Sequence, residues 1–157
     1  MQNREKKLKL LGRSIDDVEV LSALLQDSII PGADMAFDRK LEEFVFVANR
    51  FCWELKPSAE VTGSDGKPLH KRRLCGVRIS HVRSIQHHKW PHKRHLALFN
   101  LLALRHMDMA EQAGKIAVLK FEFSGGSGLR LKIDEIDIAL EDLDSGYPTS
   151  LQPGHDL

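Results

Sequence analysis

The chain has 157 residues, 42% of them apolar and 29% charged, which is the size and make-up of one globular domain able to hold its core without a metal or a disulfide. Cys52 and Cys75 are its only cysteines, no hydrophobic leader opens it, and no apolar run approaches the ~18 residues of a membrane span, so the expectation is a cytoplasmic protein with reduced thiols and no membrane segment. A formal net charge of +1 argues against a dedicated polyanion binder.

Residues 1–13 hold five basic side chains and little pattern, and read as a flexible basic tail. The stretch "SIDDVEVLSALLQDS" then predicts a helix, with Ser14 as N-cap, Asp17 at the third helical position and a single stripe of Ile15, Val18, Leu21, Leu24 and Leu25. From Ile29 the period becomes two through Ala33, Met35 and Phe37, and Asp38-Arg39-Lys40 turns the chain into "LEEFVFVANRFCW". Phe44 to Val47 are all apolar, the mark of an interior strand. The segment 54–71, with two prolines and two glycines, reads as a long disordered connection.

Strand character returns at Cys75, Val77 and Ile79. "LALFNLLALRHM" fits both helix and strand and is assigned to strand, while "KIAVLKFEF", "SGGSG" and "LRLKI" form a hairpin. Asp134 to Leu143 is either a further strand or a short helix, and 144–157 reads as a flexible tail. The fold expectation is α+β: one domain over 14–143, a helix packed on a mostly antiparallel sheet of about six strands, rolled or forming a partly open barrel.

Charge is unevenly spread. Between Gly66 and Met107 stand ten Lys or Arg, seven His and no Asp or Glu, while the remainder carries 13 basic against 22 acidic residues. Lys71, Arg72, Arg73, Arg78, Arg83, Lys89, Lys93 and Arg94 would form a basic face for an anion or partner if the sheet gathers them. The bland alternative pairs part of this charge with the six carboxylates of "IDEIDIALEDLD". Within "SIQHHKWPHKRH", a helix starting near Trp90 would present His92 and His95, with His88 outside it. Those three are the metal candidates, but zinc needs three or four convergent donors, and Lys89, Lys93 and Arg94 oppose a dication. The reading is therefore a basic loop between two strands. Gly125, Gly126 and Gly128 precede a strand rather than a helix, which makes them a turn and not a phosphate cradle.

Asp17, Leu21, Leu25-Gln26-Asp27, Asp34 and above all Asn49-Arg50-Phe51-Cys52-Trp53-Glu54, with "KRRLCGVRI" and "GLRLKIDEIDIALEDL", resemble domain-of-unknown-function family 2948, a group of small, mostly alphaproteobacterial proteins. The resemblance spans about Leu8 to Leu143 and implies no reaction. The stretch "QHHKWPHKRH" departs from the family pattern. In the motif, Phe51 and Trp53 read as core and Arg50 and Glu54 as a pair or as caps on a neighbouring turn; the alternative is a shallow recognition site of Asn49, Arg50 and Glu54 around Trp53.

The leading functional expectation is a non-enzymatic binding or adaptor domain that recognises a protein or anionic partner through the basic face, with no cofactor. RNA or DNA association through the same face is second, and an enzyme or His-rich metal protein third.

Overall fold

The computed structural model of the chain describes residues 6–55, 58–62, 68–111, 114–149 and 153. A short strand, β1 (Lys9–Gly12), leads into the helix α1 (Ile15–Leu25). Local chemistry sets the start of that helix: Ser14 Oγ accepts from the Asp17 N–H at 3.2 Å, and the Asp17 carboxylate accepts from the N–H groups of Ser14 at 3.1 Å and Arg13 at 2.8 Å. These are backbone donors that an uncapped helix leaves unpaired. Val18, Leu21 and Leu25 are buried as a stripe, whereas Ile15, in the first turn ahead of the packed face, is largely exposed.

The described residues then form β2 (Ile29–Pro31), β3 (Met35–Asp38), β4 (Glu43–Phe51), β5 (Ser58–Thr62), β6 (Pro68–Ile79), β7 (Val82–His88), β8 (Leu98–Glu111), β9 (Gly114–Phe123), β10 (Gly128–Ile133), β11 (Ile138–Asp142) and β12 (Tyr147–Thr149). They pair antiparallel in the order β1-β11-β6-β4-β2-β8-β9-β10-β7, with β3 beside β4 and with β5 and β12 beside β6.

β2 is the bridge between two wings. Ile29 opposes Asn49 on β4, while Ile29 to Pro31 oppose Asn100 to Leu98 on β8. The wings fold over one another, because Phe44 and Phe46 of β4 meet the Phe121 ring of β9 edge-on at 5.9 and 5.7 Å. All three phenylalanines are buried. Burial of such side chains contributes about 1.5–3 kcal/mol each. The helix lies across β8, where Ser22 Oγ accepts from the Leu104 N–H at 2.9 Å and Asp27 donates its N–H to the Leu101 carbonyl at 2.8 Å.

The expectation of one helix on an antiparallel sheet stands, but about six strands becomes twelve among the described residues, and the sheet does not close into a barrel. Part of the excess is β7 and the division of the strand expected from Ile29 into β2 and β3; the rest comes from strands of three to five residues, β1, β5, β11 and β12. A period of two is invisible in so short a run, and pairing with a longer neighbour decides its conformation. The expected tails are corrected accordingly, since Lys9–Gly12 pairs with β11 and Tyr147–Thr149 with β6. The expected disordered connection contains β5 and the start of β6. Residues 1–5, 56–57, 63–67, 150–152 and 154–157 of the expected flexible stretches lie outside the described residues.

The continuous strand expected from Ile29 is broken at Gly32. A Cβ there would stand 1.8 Å from the Arg94 carbonyl oxygen, so the chain turns where only glycine fits. The strand assignments for Leu98 onward and for the β9–β10 hairpin hold, with Gly125 and Gly126 at φ 82° and 89° in the turn. Asp134 to Leu143 resolves as strand, over Ile138–Asp142.

Candidate functional site

The motif Asn49 to Glu54 closes β4 and enters the turn after it. On β4, Phe44, Phe46, Ala48 and Arg50 share the inward side, so alternation carries the Arg50 guanidinium into the protein. On β6, Arg73 follows the same logic with Cys75, Val77 and Ile79, and it stands directly opposite Arg50. Between them lies Asp142, which shares the inward side of β11 with Ile138 and Leu140.

Arg50 donates from Nε and Nη2 to the two Asp142 oxygens, both at 2.8 Å, and from Nη1 and Nη2 to Glu54 at 3.0 and 2.7 Å. Arg73 Nη1 donates to Asp142 at 3.0 Å and to the Lys6 carbonyl at 2.9 Å, and its Nε to the Ser145 carbonyl. The Leu8 N–H completes the shell of Asp142 at 2.9 Å.

Burial alone would weaken the charge on Arg50, but the carboxylates of Asp142 and Glu54 more than compensate and its proton is held more tightly than usual. The Asp142 carboxyl, pushed up by burial, is pulled below its ordinary range by the donors of Arg50, Leu8 and Arg73. Among the described residues two guanidinium groups meet two carboxylates, an ionic lock that ties β4, β6 and β11 to the segment leading into β1.

The aromatic part of the motif is equally engaged. Trp53 lies 4.5 Å from the Phe51 ring and donates its Nε1–H to the Gln26 carbonyl at 2.8 Å, while the Arg72 guanidinium sits 5.7 Å over Phe51. Asn49 donates to the Tyr147 hydroxyl. A shallow recognition site built on Arg50 is ruled out by its complete burial and four hydrogen bonds.

The eight expected anion-binding residues fall into separate settings. Arg73 is corrected from surface to interior, for the reason just given. Arg72 is half-buried and donates to the Asn49 carbonyl at 3.2 Å, and Lys71, next to it on β6, is half-buried opposite Pro148. Arg78 is exposed on the outer side of β6, and Arg83 is held between Glu42 at 2.9 Å and Asp134. Lys89, Lys93 and Arg94 are exposed after β7. Part of the acid-free charge is thus neutralised by the closing segment, as Arg73–Asp142 and Arg83–Asp134.

The histidine stretch is half strand. Ser84 to His88 belong to β7, corrected from loop, because they pair with Lys132 to Gly128 of β10. No helix starts at Trp90; a 3-10 turn forms at Arg94–Leu96. His88, His92 and His95 are exposed, and no three His, Cys, Asp or Glu converge for a metal among the described residues. Trp90 instead stacks on Phe99 at 4.5 Å, with His87 at 5.0 Å.

The charges that strand register gathers on one face are mostly other residues. Register aligns Arg105 of β8, Lys120 of β9 and Arg130 of β10 in one row that ends at Gln86 of β7. The row beside it is Ala103, Glu122, Gly128 and His88, and Lys132 is the next outward position after Arg130. Their strand neighbours Leu104, Phe121, Leu129 and Leu131 point inward and are buried. Glu122 accepts from Arg105 at 3.2 Å and lies 3.5 Å from Lys120 Nζ. The face encloses a depression of about 590 Å³ floored around Gly128 and bordered by His88, Lys120, Glu122 and Arg130. Alternation in "LKFEF" and "LRLKI" places these charges on one side of their strands, but they lie beyond the acid-free span, which Asp108 ends and after which Glu111 and Glu122 follow.

The sequence profile of a family described as protein of unknown function DUF2948 matches residues 8–155. No curated protein and no solved structure is detectably similar to the chain.

Proposed function

Since the chain belongs to the DUF2948 family, whose description carries no activity, we propose its function from its own geometry: a cytoplasmic binding or adaptor domain that recognises an acidic protein partner through the outer face of β8, β9, β10 and β7. The observation that supports this reading is the row Arg105, Lys120 and Arg130, with Lys132 and His88 beside it and Glu122 as the one carboxylate in those two rows. A surface of one dominant sign steers a partner of the other and favours correct docking orientation. The phenylalanines on these strands, Phe99, Phe121 and Phe123, are buried, so bases would find no phenylalanine, tyrosine or tryptophan to stack on among the described residues of the face. That favours an acidic peptide or protein surface over single-stranded nucleic acid.

Polyglutamate and a single-stranded polynucleotide serve as probes. The expected result is polyglutamate binding at about 50 mM salt that falls steeply with added salt and is lost in Lys120→Glu/Arg130→Glu. Arg72→Glu/Arg78→Glu, on the other wing, should bind as the parent does. Absence of binding at low salt, or indifference to the first pair of substitutions, overturns the proposal. Tighter binding of the polynucleotide replaces the acidic protein with nucleic acid.

A further inference from the structure

Among the described residues β3 and β7 are each paired on one side only, β3 with β4 and β7 with β10. Their free edges border one cavity of about 540 Å³, within the range of small-molecule sites. Its ends are shut. At one, the Val82 N–H donates to the Glu42 carbonyl at 2.8 Å; at the other, the Gly32 N–H donates to the Ala97 carbonyl at 2.9 Å, with Gly32 pressed against the Arg94 backbone. A strand added to either edge would have to run through these crossings. The shape is therefore a slot for a compact body, not a groove for an extended chain.

The slot opens onto the inward side of the sheet, where Met35, Phe44 and Leu129 are buried and Phe37 and Ile85 form the walls. Its chemistry changes toward the Gly32 end, where Trp90, His87 and Arg94 line it. Arg94 has no ion pair among the described residues. The indole Nε1–H of Trp90 is out of solvent and has no acceptor, although buried donors are almost always paired. Arg83, by contrast, is already held by Glu42 and Asp134.

We propose that this slot binds an amphipathic organic carboxylate. The apolar body lies against Met35, Phe44 and Leu129, and the carboxylate sits at the Trp90–Arg94 end, accepting from the guanidinium and the indole N–H. A carboxylate meets both needs, since it is acceptor-only and takes charge-assisted bonds from arginine.

Decanoate is the probe, titrated calorimetrically against the full chain, with decanol as its uncharged counterpart. Saturable one-to-one binding of decanoate is expected, with decanol weaker by about tenfold or more. Arg94→Gln should weaken decanoate by about tenfold. Trp90→Phe should weaken it several-fold with the ring stack retained. Arg39→Gln, at the far end of the slot, should change it less than about twofold, which a merely general charge effect would not allow. Circular dichroism and unfolding of each unliganded variant check that the fold is intact. No saturable decanoate binding, equal binding of decanol, or an unaltered Arg94→Gln protein overturns the proposal. Lys120→Glu/Arg130→Glu should bind decanoate as the parent does, so this site and the basic face fail or stand separately.

Discussion

Asp142→Asn tests the ionic lock most directly. The substitution keeps the shape of the side chain but removes the charge that Arg50 meets with two hydrogen bonds and Arg73 with one, and on which the Leu8 N–H also rests. Glu54 remains as a carboxylate for Arg50, so the cluster loses one negative charge while Arg50 and Arg73 stay fully buried. Removing one member of a buried ion pair costs about 3–5 kcal/mol, chiefly through the charge left behind. That is a large share of the about 5–15 kcal/mol by which domains are stable. At about 2–4 °C per kcal/mol for a chain of this size, Tm should fall by roughly 6–20 °C. Urea unfolding followed by tryptophan fluorescence measures the loss, and Arg73→Met combined with Asp142→Asn should cost less than the sum of the two single changes. A loss below about 1 kcal/mol would mean that water reaches the cluster, and the reasoning from burial would fail.

Acid unfolding should carry the same signature. Because the Asp142 carboxyl is held below its ordinary 3.8 in the folded protein, its contribution is complete above that value and is lost as pH falls through the folded value, so the parent should lose stability below about pH 4 more steeply than Asp142→Asn. Equal slopes in a pH series of thermal melts would contradict this. Both thiols should be inert in the native state: burial pushes Cys52 up to about 11 and Cys75 up to about 12, so a disulfide reagent at pH 8 should label neither in minutes and both in denaturant. Rapid native labelling of either would show that β4 or β6 opens locally.

Long alternations were readable in the sequence, and short strands were not. β4 and the β9–β10 hairpin announce themselves because nine residues of β4 and ten of β9 keep one period or one apolar block, whereas the apolar run of β8 fits helix as well as strand. β2 and β12, three residues each, take their conformation from the neighbours they join. The lock was written in the sequence in a form that charge counting discards. Arg50, Arg73 and Asp142 each occupy a position where strand alternation demands an apolar side chain. Two cations and an anion out of phase with their surface-facing peers amount to a statement that they meet inside. Lys120 and Arg130 were hidden for the opposite reason, since Asp108, Glu111 and Glu122 interrupt the basic residues along the chain while strand register brings them side by side. The slot between β3 and β7 could not be read, because it depends on two edges separated by more than forty residues.

The lock also sets a schedule for synthesis. Arg50 and Arg73 precede their shared carboxylate by 92 and 69 residues. At about 5–20 residues per second, a ribosome takes roughly 5–18 seconds to carry the chain from the first arginine to Asp142. Once β6 has been made it can pair with β4, yet the carboxylate that both guanidinium groups share is still missing and Arg50 has only Glu54, so the nascent protein must keep this end of the sheet hydrated. Folding of this end of the core is thereby coupled to translation of the last strands, and a chain released before Asp142 would lack the carboxylate that Arg50 and Arg73 share on their apolar faces.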